Sequence, residues 1–194
     1  MIIGITGGSG TGKTKASEFF CKKGFLVIDC DKLSRKVCDK GTPCLAELKD
    51  FFGEGIIASD GTLMRRELGK IVFNDKSSLE KLNQITHKYI TRELENIIKA
   101  NDDRDILIDA PLLFEAGLEK LCDKTLCILA DREVRIRRIT ERDSISRDDA
   151  NDRISSQKDD GYYISRCDYA VYNNASEHML INELTEIFGG TNGR

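Results

Sequence analysis

Apolar residues along this chain occur in two patterns. Short unbroken runs cover residues 1–6, 25–28, 105–109, 124–129 and 168–172, too short for buried helices, and they read as strands buried on both faces. Between them, apolar positions recur every three or four residues and predict helices. The first, from Thr14 to Lys23, puts Ala16, Phe19 and Phe20 on one side and ends at Gly24, a C-cap signal. Further helices are predicted at about 32–38, 44–52, 64–72 and 77–99, the last bent near His87, with Ser59-Asp60-Gly61 as a turn among them. A helix after the fourth run is interrupted at Ser144-Ile145-Ser146 and resumes at Arg147 toward Gln157. A final one follows an N-cap at Ser176, runs through Phe188 and leaves a glycine-rich tail, 189–194, expected to fray.

Strands alternating with helices define the class α/β. Residues 1–194 suit one domain. The helical block 31–100 between the second and third strands is too long for a single crossover and reads as an insertion of the kind that holds a second substrate. The broken helix pair over 131–160 has the form of a closing lid.

Composition narrows the picture. With 32% charged and 40% hydrophobic residues the chain has an ordinary soluble composition, and no run is long enough to span a membrane. No signal segment is evident, so the expected compartment is the cytoplasm. Seven cysteines with no C-x-x-C pair, and two histidines far apart in sequence (His87 and His178), argue against a zinc site or a disulfide framework. A net charge of -3 argues against a general nucleic-acid partner, and no obligatory protein partner is evident.

The chemistry concentrates at Gly7-Gly8-Ser9-Gly10-Thr11-Gly12-Lys13-Thr14, which meets the P-loop spacing G-x-x-x-x-G-K-[ST] at every fixed position, between a strand and a helix. Glycines let backbone N–H groups wrap a phosphate. Lys13 adds a point charge, the Thr14 hydroxyl is a ligand for Mg²⁺, and the helix start adds its positive end. The alternative is a glycine-rich turn that binds nothing.

Carboxylates that end strands come next. Asp29 and Asp31 follow the second strand, and each is a candidate either for ligand chemistry or for capping the following helix. Asp109 ends the third strand as in a Walker B segment, near the Mg²⁺ shell. Pro111 forbids continuing the ladder and suits the start of a short helix. Arg132, Arg135, Arg137, Arg138, Arg142, Arg147 and Arg153 then crowd the 131–160 segment among acids. Some of these fit ion pairs on a solvated helix; Arg138 and Arg142, four apart, share a face suited to a phosphate chain.

The ordered set of these pieces resembles dephospho-CoA kinase: Gly4 to Thr14, Asp29-Cys30-Asp31 with Arg35, Asp60-Gly61-Thr62-Leu63 with Arg66 and Leu68, Pro111-Leu112-Leu113-Phe114-Glu115, then Arg138, Arg142, Gln157, Asp168 and Asn173. The chain departs from the family at His87-Lys88, where His-Pro is common, at Ala175, where Gly usually follows, and at Ser9, often aliphatic. The resemblance implies a P-loop nucleotide-kinase sandwich of three layers, with five parallel strands between helices. It also implies transfer of the γ-phosphoryl of ATP, with Mg²⁺, to the ribose 3′-hydroxyl of dephospho-CoA. Under it, Gly8, Ser9, Gly10, Thr11, Gly12, Lys13, Thr14, Lys15 and Asn173 bind ATP. Asp31, Lys13, Arg138 and Arg142 act in catalysis, Asp31, Arg35, His87, Pro111 and Leu112 meet the acceptor, and Thr14 and Asp109 hold the metal.

Rival readings are another small-molecule P-loop kinase (for a nucleoside, its monophosphate or shikimate), a regulatory nucleotide switch, and a nucleotide-binding domain without catalysis. A GTPase should carry Asn-Lys-x-Asp, and none is present.

Overall fold

The computed structural model describes residues 1–190, so most of the tail expected to fray, 191–194, lies outside the described residues. The strands are β1 (Ile2–Thr6), β2 (Leu26–Asp29), β3 (Ile106–Asp109), β4 (Lys124–Leu129) and β5 (Tyr169–Tyr172). They form one parallel sheet in the order β2-β3-β1-β4-β5. β1 is central, paired with β3 from Ile2 to Ile5 and with β4 from Ile3 to Thr6. The sequence runs that predicted these strands match them to within a residue or two.

The chain divides into two compact units, one of Met1–Ile28 with the chain from Asp102 on, the other of Asp29–Asn101. In the first, α1 (Lys13–Lys22) and α9 (Glu177–Phe188) cover one sheet face. Ile3, Ile5, Leu107, Leu126, Ile128 and Val171 of the strands meet Phe19, Phe20, Leu180, Leu184 and Phe188 there. Strand alternation sends Cys127 and Leu129 to the other face, against Tyr163 of α8 (Asp160–Ile164). That five-residue helix escapes a periodicity search. Asp159 caps it, accepting from the Tyr162 amide at 2.8 Å.

The end of α1 shows how local sequence sets the path. Gly24 takes φ 91°, its amide bonds Cys21 O at 3.0 Å, and the Phe25 amide bonds Phe20 O at 3.1 Å. These are the two bonds of a Schellman motif, and the edge contact of Phe20 with Phe25 (5.1 Å between ring centres) is its hydrophobic clasp.

α6 (Arg132–Asp143) and α7 (Arg147–Ser155) form a hairpin around Ile136, Ile139, Ala150 and Ile154. Ser144 turns it at φ 54°, and Ser146 caps α7 by accepting from the Asp149 amide at 3.0 Å.

The second unit is α2 (Cys30–Val37), α3 (Pro43–Phe52), α4 (Arg65–Asn74) and α5 (Lys76–Lys99) around Cys38, Cys44, Leu48, Ile56, Leu68, Val72 and Ile85. α5 is one unbroken helix of 24 residues through His87, with Lys88 in place of a helix-breaking proline. One expectation needs correction. Pro111 starts no helix: residues 111–117 are consecutive turns leading to a 3-10 turn at Leu118–Leu121. The Pro111 carbonyl accepts from the Thr6 hydroxyl at 3.1 Å, which ties the segment back to β1.

Phe20 is fully buried and meets Phe19, Phe25 and Phe188 edge-on at 5.1–5.2 Å. Phe20→Ala should cost about 3–5 kcal/mol, read as a lower denaturant midpoint at unchanged slope.

Candidate active site

β1 ends at Thr6 and α1 begins at Lys13, and the backbone between them turns on three glycines at positive φ: Gly7 (148°), Gly10 (78°) and Gly12 (93°). Side chains would also collide there. A Cβ on Gly8 would strike the Arg135 guanidinium and the Gln157 amide, and one on Gly12 would strike the Asn173 amide. Gly12 is the N-cap of α1 and supplies no side-chain cap, and within the first turn the Lys15 amide donates to Gly12 O at 2.9 Å. Thr11, buried, closes the loop with its hydroxyl on Gly8 O at 2.9 Å.

The loop's carbonyls are held from behind. Ser9 O accepts from Arg135 Nε at 2.9 Å, Gly10 O from Arg138 Nη1 at 3.3 Å, and Thr11 O from Asn173 Nδ2 at 2.8 Å. In a trans peptide the C=O and the following N–H point in opposite directions. Fixing the Ser9 and Thr11 carbonyls therefore turns the amides of Gly10 and Gly12 the other way, while the Thr11 amide donates to Gly8 O at 3.4 Å. Gln157 grips Ser9 at two points, its amide nitrogen donating to the hydroxyl at 2.8 Å and its oxygen accepting from the Ser9 amide at 3.0 Å.

Lys13 Nζ donates to Asp109 Oδ1, and Ser17 Oγ donates to Asp109 Oδ2 at 2.8 Å. Parallel strands deliver both partners: β3 ends at Asp109 beside β1, whose end leads into Lys13. Thr14 lies exposed on the first turn of α1. Next to it, the Lys15 ammonium pairs with Glu18 (3.1 Å) and Glu177 (3.5 Å), which raise its pKa.

The arginines sort into two groups by partner. Arg142, 60% exposed, pairs with Asp143, which raises its pKa; Arg153 pairs with the same Asp143, and Arg147 with Glu133. Arg135 and Arg138 have no carboxylate within 4.0 Å among the described residues; their hydrogen bonds go to neutral acceptors, and burial lowers the pKa of each. Arg138 also reaches Asn173 Oδ1 at 3.4 Å. Of the pair Arg138 and Arg142, only the first contacts the P-loop.

Pro111 is half-buried and Leu112 51% exposed on the turns after β3. In the helical unit, Asp29 caps α2, its side chain accepting from the Lys32 amide at 3.0 Å. Burial pushes that carboxyl's pKa up, but the bonds from Lys32 outweigh it and hold it below its ordinary value. Asp31 sits exposed on the first turn of α2, with Arg35 one turn on, and His87 is half-buried on α5.

The family model for dephospho-CoA kinase matches residues 1–178. The chain belongs to the dephospho-CoA kinase family. A dephospho-CoA kinase of Fusobacterium nucleatum is 39% identical over 184 residues, covering 95% of each chain. Among solved structures, a Thermus thermophilus protein superposes with TM-score 0.83 at 29% identity, covering 98% of this chain and 97% of its own. The dephospho-CoA kinase from Campylobacter jejuni gives 0.73 at 25%, covering 98% and 96%. The family's substrates are ATP and dephospho-CoA, its reaction is the last step of coenzyme A biosynthesis, and this chain is a kinase of that family.

Within the dephospho-CoA kinase framework, the sequence reading passed over two contacts. Ser17 braces Asp109, and its one signal was a polar residue on the buried side of α1, one turn beyond Lys13. Arg135 is the nearer miss: it belonged to the arginine cluster and lies three positions before Arg138, on the same face of α6.

Gly12→Ala should cost about 1–2 kcal/mol of stability, from forcing a Cβ into the left-handed region. Displacing Asn173 as well, it should weaken ATP binding by about tenfold or more in calorimetric titration.

Proposed function

We propose that Lys13, Arg138 and the P-loop amides hold the phosphates of ATP while Asp31 directs the ribose 3′-hydroxyl of dephospho-CoA at the γ-phosphoryl group. The observation that carries this reading is the Lys13–Asp109 pair beside a glycine loop whose carbonyls are held from behind by Arg135, Arg138 and Asn173. Lys13 would exchange the Asp109 carboxylate for the β- and γ-phosphates, and the Asp109 oxygens would then be available to a cation.

The donor set suits Mg²⁺: the Thr14 hydroxyl and the Asp109 carboxylate are hard oxygens, and no group of three or more His, Cys, Asp or Glu side chains forms a closed cage among the described residues. Thr14 and Asp109 would hold such an ion, which would supply charge neutralisation for phosphoryl transfer.

Phosphoryl transfer passes through a loose transition state, so alignment and charge stabilisation dominate. With a loose transition state the acceptor hydroxyl keeps its proton until late, so Asp31 would orient the hydroxyl and accept that proton late. Its neighbour Asp29 is engaged in capping α2, which favours Asp31 for the role. Arg35, His87, Pro111 and Leu112 are assigned to the acceptor side by the family pattern, and Gly8 to Thr14, Lys15 and Asn173 to ATP. Arg142 is assigned to the phosphates on the same ground; to act there it would leave Asp143. Residues 131–160 would serve as the lid and 31–100 as the acceptor-binding insertion, in a cytoplasmic enzyme with no nucleic-acid, membrane or obligatory protein partner. No helix among the described residues is long and apolar enough to cross a membrane.

Mass spectrometry of products from Mg-ATP with dephospho-CoA, AMP, adenosine and shikimate should show one phosphoryl group added to dephospho-CoA alone, on the 3′-hydroxyl. Lys13→Ala should be inactive. A different phosphorylated acceptor would overturn the acceptor assignment. Asp31→Asn should lower kcat by roughly 10² to 10⁴ with ATP affinity nearly unchanged; an unchanged kcat would remove Asp31 from the mechanism.

A further inference from the structure

Arg135 is 5% exposed, among the most buried charged residues of the chain. Buried guanidinium groups ordinarily face carboxylates, because an unpaired charge away from water is costly. The contacts of Arg135 are neutral: Nε donates to Ser9 O at 2.9 Å and Nη2 to Gln157 Oε1 at 2.7 Å. Asp160 contributes a favourable field, but lies beyond ion-pair distance. The exposed arginines on the same helix pair are, by contrast, matched to Asp143 and Glu133. The space it fills exists because position 8 is glycine, since a Cβ there would strike its guanidinium.

We propose that Arg135 is a positioning residue for the nucleotide's phosphates: it turns and polarises the Ser9–Gly10 peptide, so that a buried cation acts on the anion through one backbone unit. Nε fixes the Ser9 carbonyl on one side of the loop, and the Gly10 N–H, in the same peptide plane, points to the opposite side. A cation on the carbonyl draws electron density from that peptide and strengthens its N–H as a donor, as hydrogen bonds in series reinforce one another. Gln157, itself held by Arg135, carries the restraint to the Ser9 amide and hydroxyl. The charge missing around Arg135 is then the phosphate chain, and the desolvation of the guanidinium is offset when nucleotide binds. The inference rests on the P-loop reading above and is independent of the acceptor.

Calorimetric titration of the full chain with ATP, ADP and adenosine tests it on wild type, Arg135→Gln and Arg135→Lys. The expected result for Arg135→Gln is ATP binding weakened by about 10- to 100-fold, the scale of a charge-assisted hydrogen bond. Adenosine affinity and the KM for dephospho-CoA should stay unchanged. Arg135→Lys keeps the charge and loses the fork, so it should recover part of the ATP affinity. It also serves as the deciding variant if the glutamine form fails to fold in a melting experiment. ATP binding within twofold of wild type in a folded variant, or an equal loss for adenosine and ATP, would mean that Arg135 only packs the hairpin and would overturn the proposal. Wild type that binds no ATP would bring down the P-loop reading and this inference with it; wild type that binds ATP but does not phosphorylate dephospho-CoA would leave the inference standing and remove the acceptor alone.

Discussion

The glycine loop and the residues that meet it from the sheet depend on one constraint: parallel strands all end at the same edge of their sheet. β1 is the central strand and opens at that edge into the glycine loop; β3 beside it ends in Asp109, and Asn173, the residue after β5, reaches Thr11 O with its amide at 2.8 Å. None of these residues is near the others in sequence. The helices on the two faces supply the apolar burial that keeps the edges in register, and the chemistry is attached at the ends of the strands.

Charge is organised around that edge by partner as well as by position. Lys13 is matched by Asp109, and the outer arginines of the α6–α7 hairpin are matched by Asp143 and Glu133. The two arginines that touch the P-loop are hydrogen-bonded to carbonyls and amides alone. Carbonyl partners hold a guanidinium in place while leaving its charge uncancelled, which is the arrangement an anion site requires.

The parts of this arrangement that were legible in the sequence are those governed by local rules. The strands show as apolar runs, the P-loop as fixed spacing, and Gly24 and Ser176 as caps, because each depends on residues within one or two turns. Which of Asp29 and Asp31 caps α2 was not legible, since aspartate suits an N-cap at either position; the structure gives the cap to Asp29. Pro111 was misread because a proline that starts a helix and one that starts a run of turns look alike until the Thr6 hydroxyl takes its carbonyl. Arg135 was hidden for a related reason. Its role comes from Gly8, Ser9 and Gln157, which meet it only through the fold, whereas the sequence shows one arginine among seven.

The Asn173–Thr11 hydrogen bond spans 162 residues of chain. It also has a consequence for how the protein is made. During synthesis the glycine loop leaves the ribosome before β3, β4 and β5, so its strand lacks both neighbours until β3 and β4 have emerged, and its last carbonyl partner follows the end of β5. Loop closure over such a separation comes late in folding, after the local contacts are in place. The nascent chain therefore carries the whole glycine motif long before the contacts that shape its loop exist, and the shaped loop marks the near-completion of the sheet.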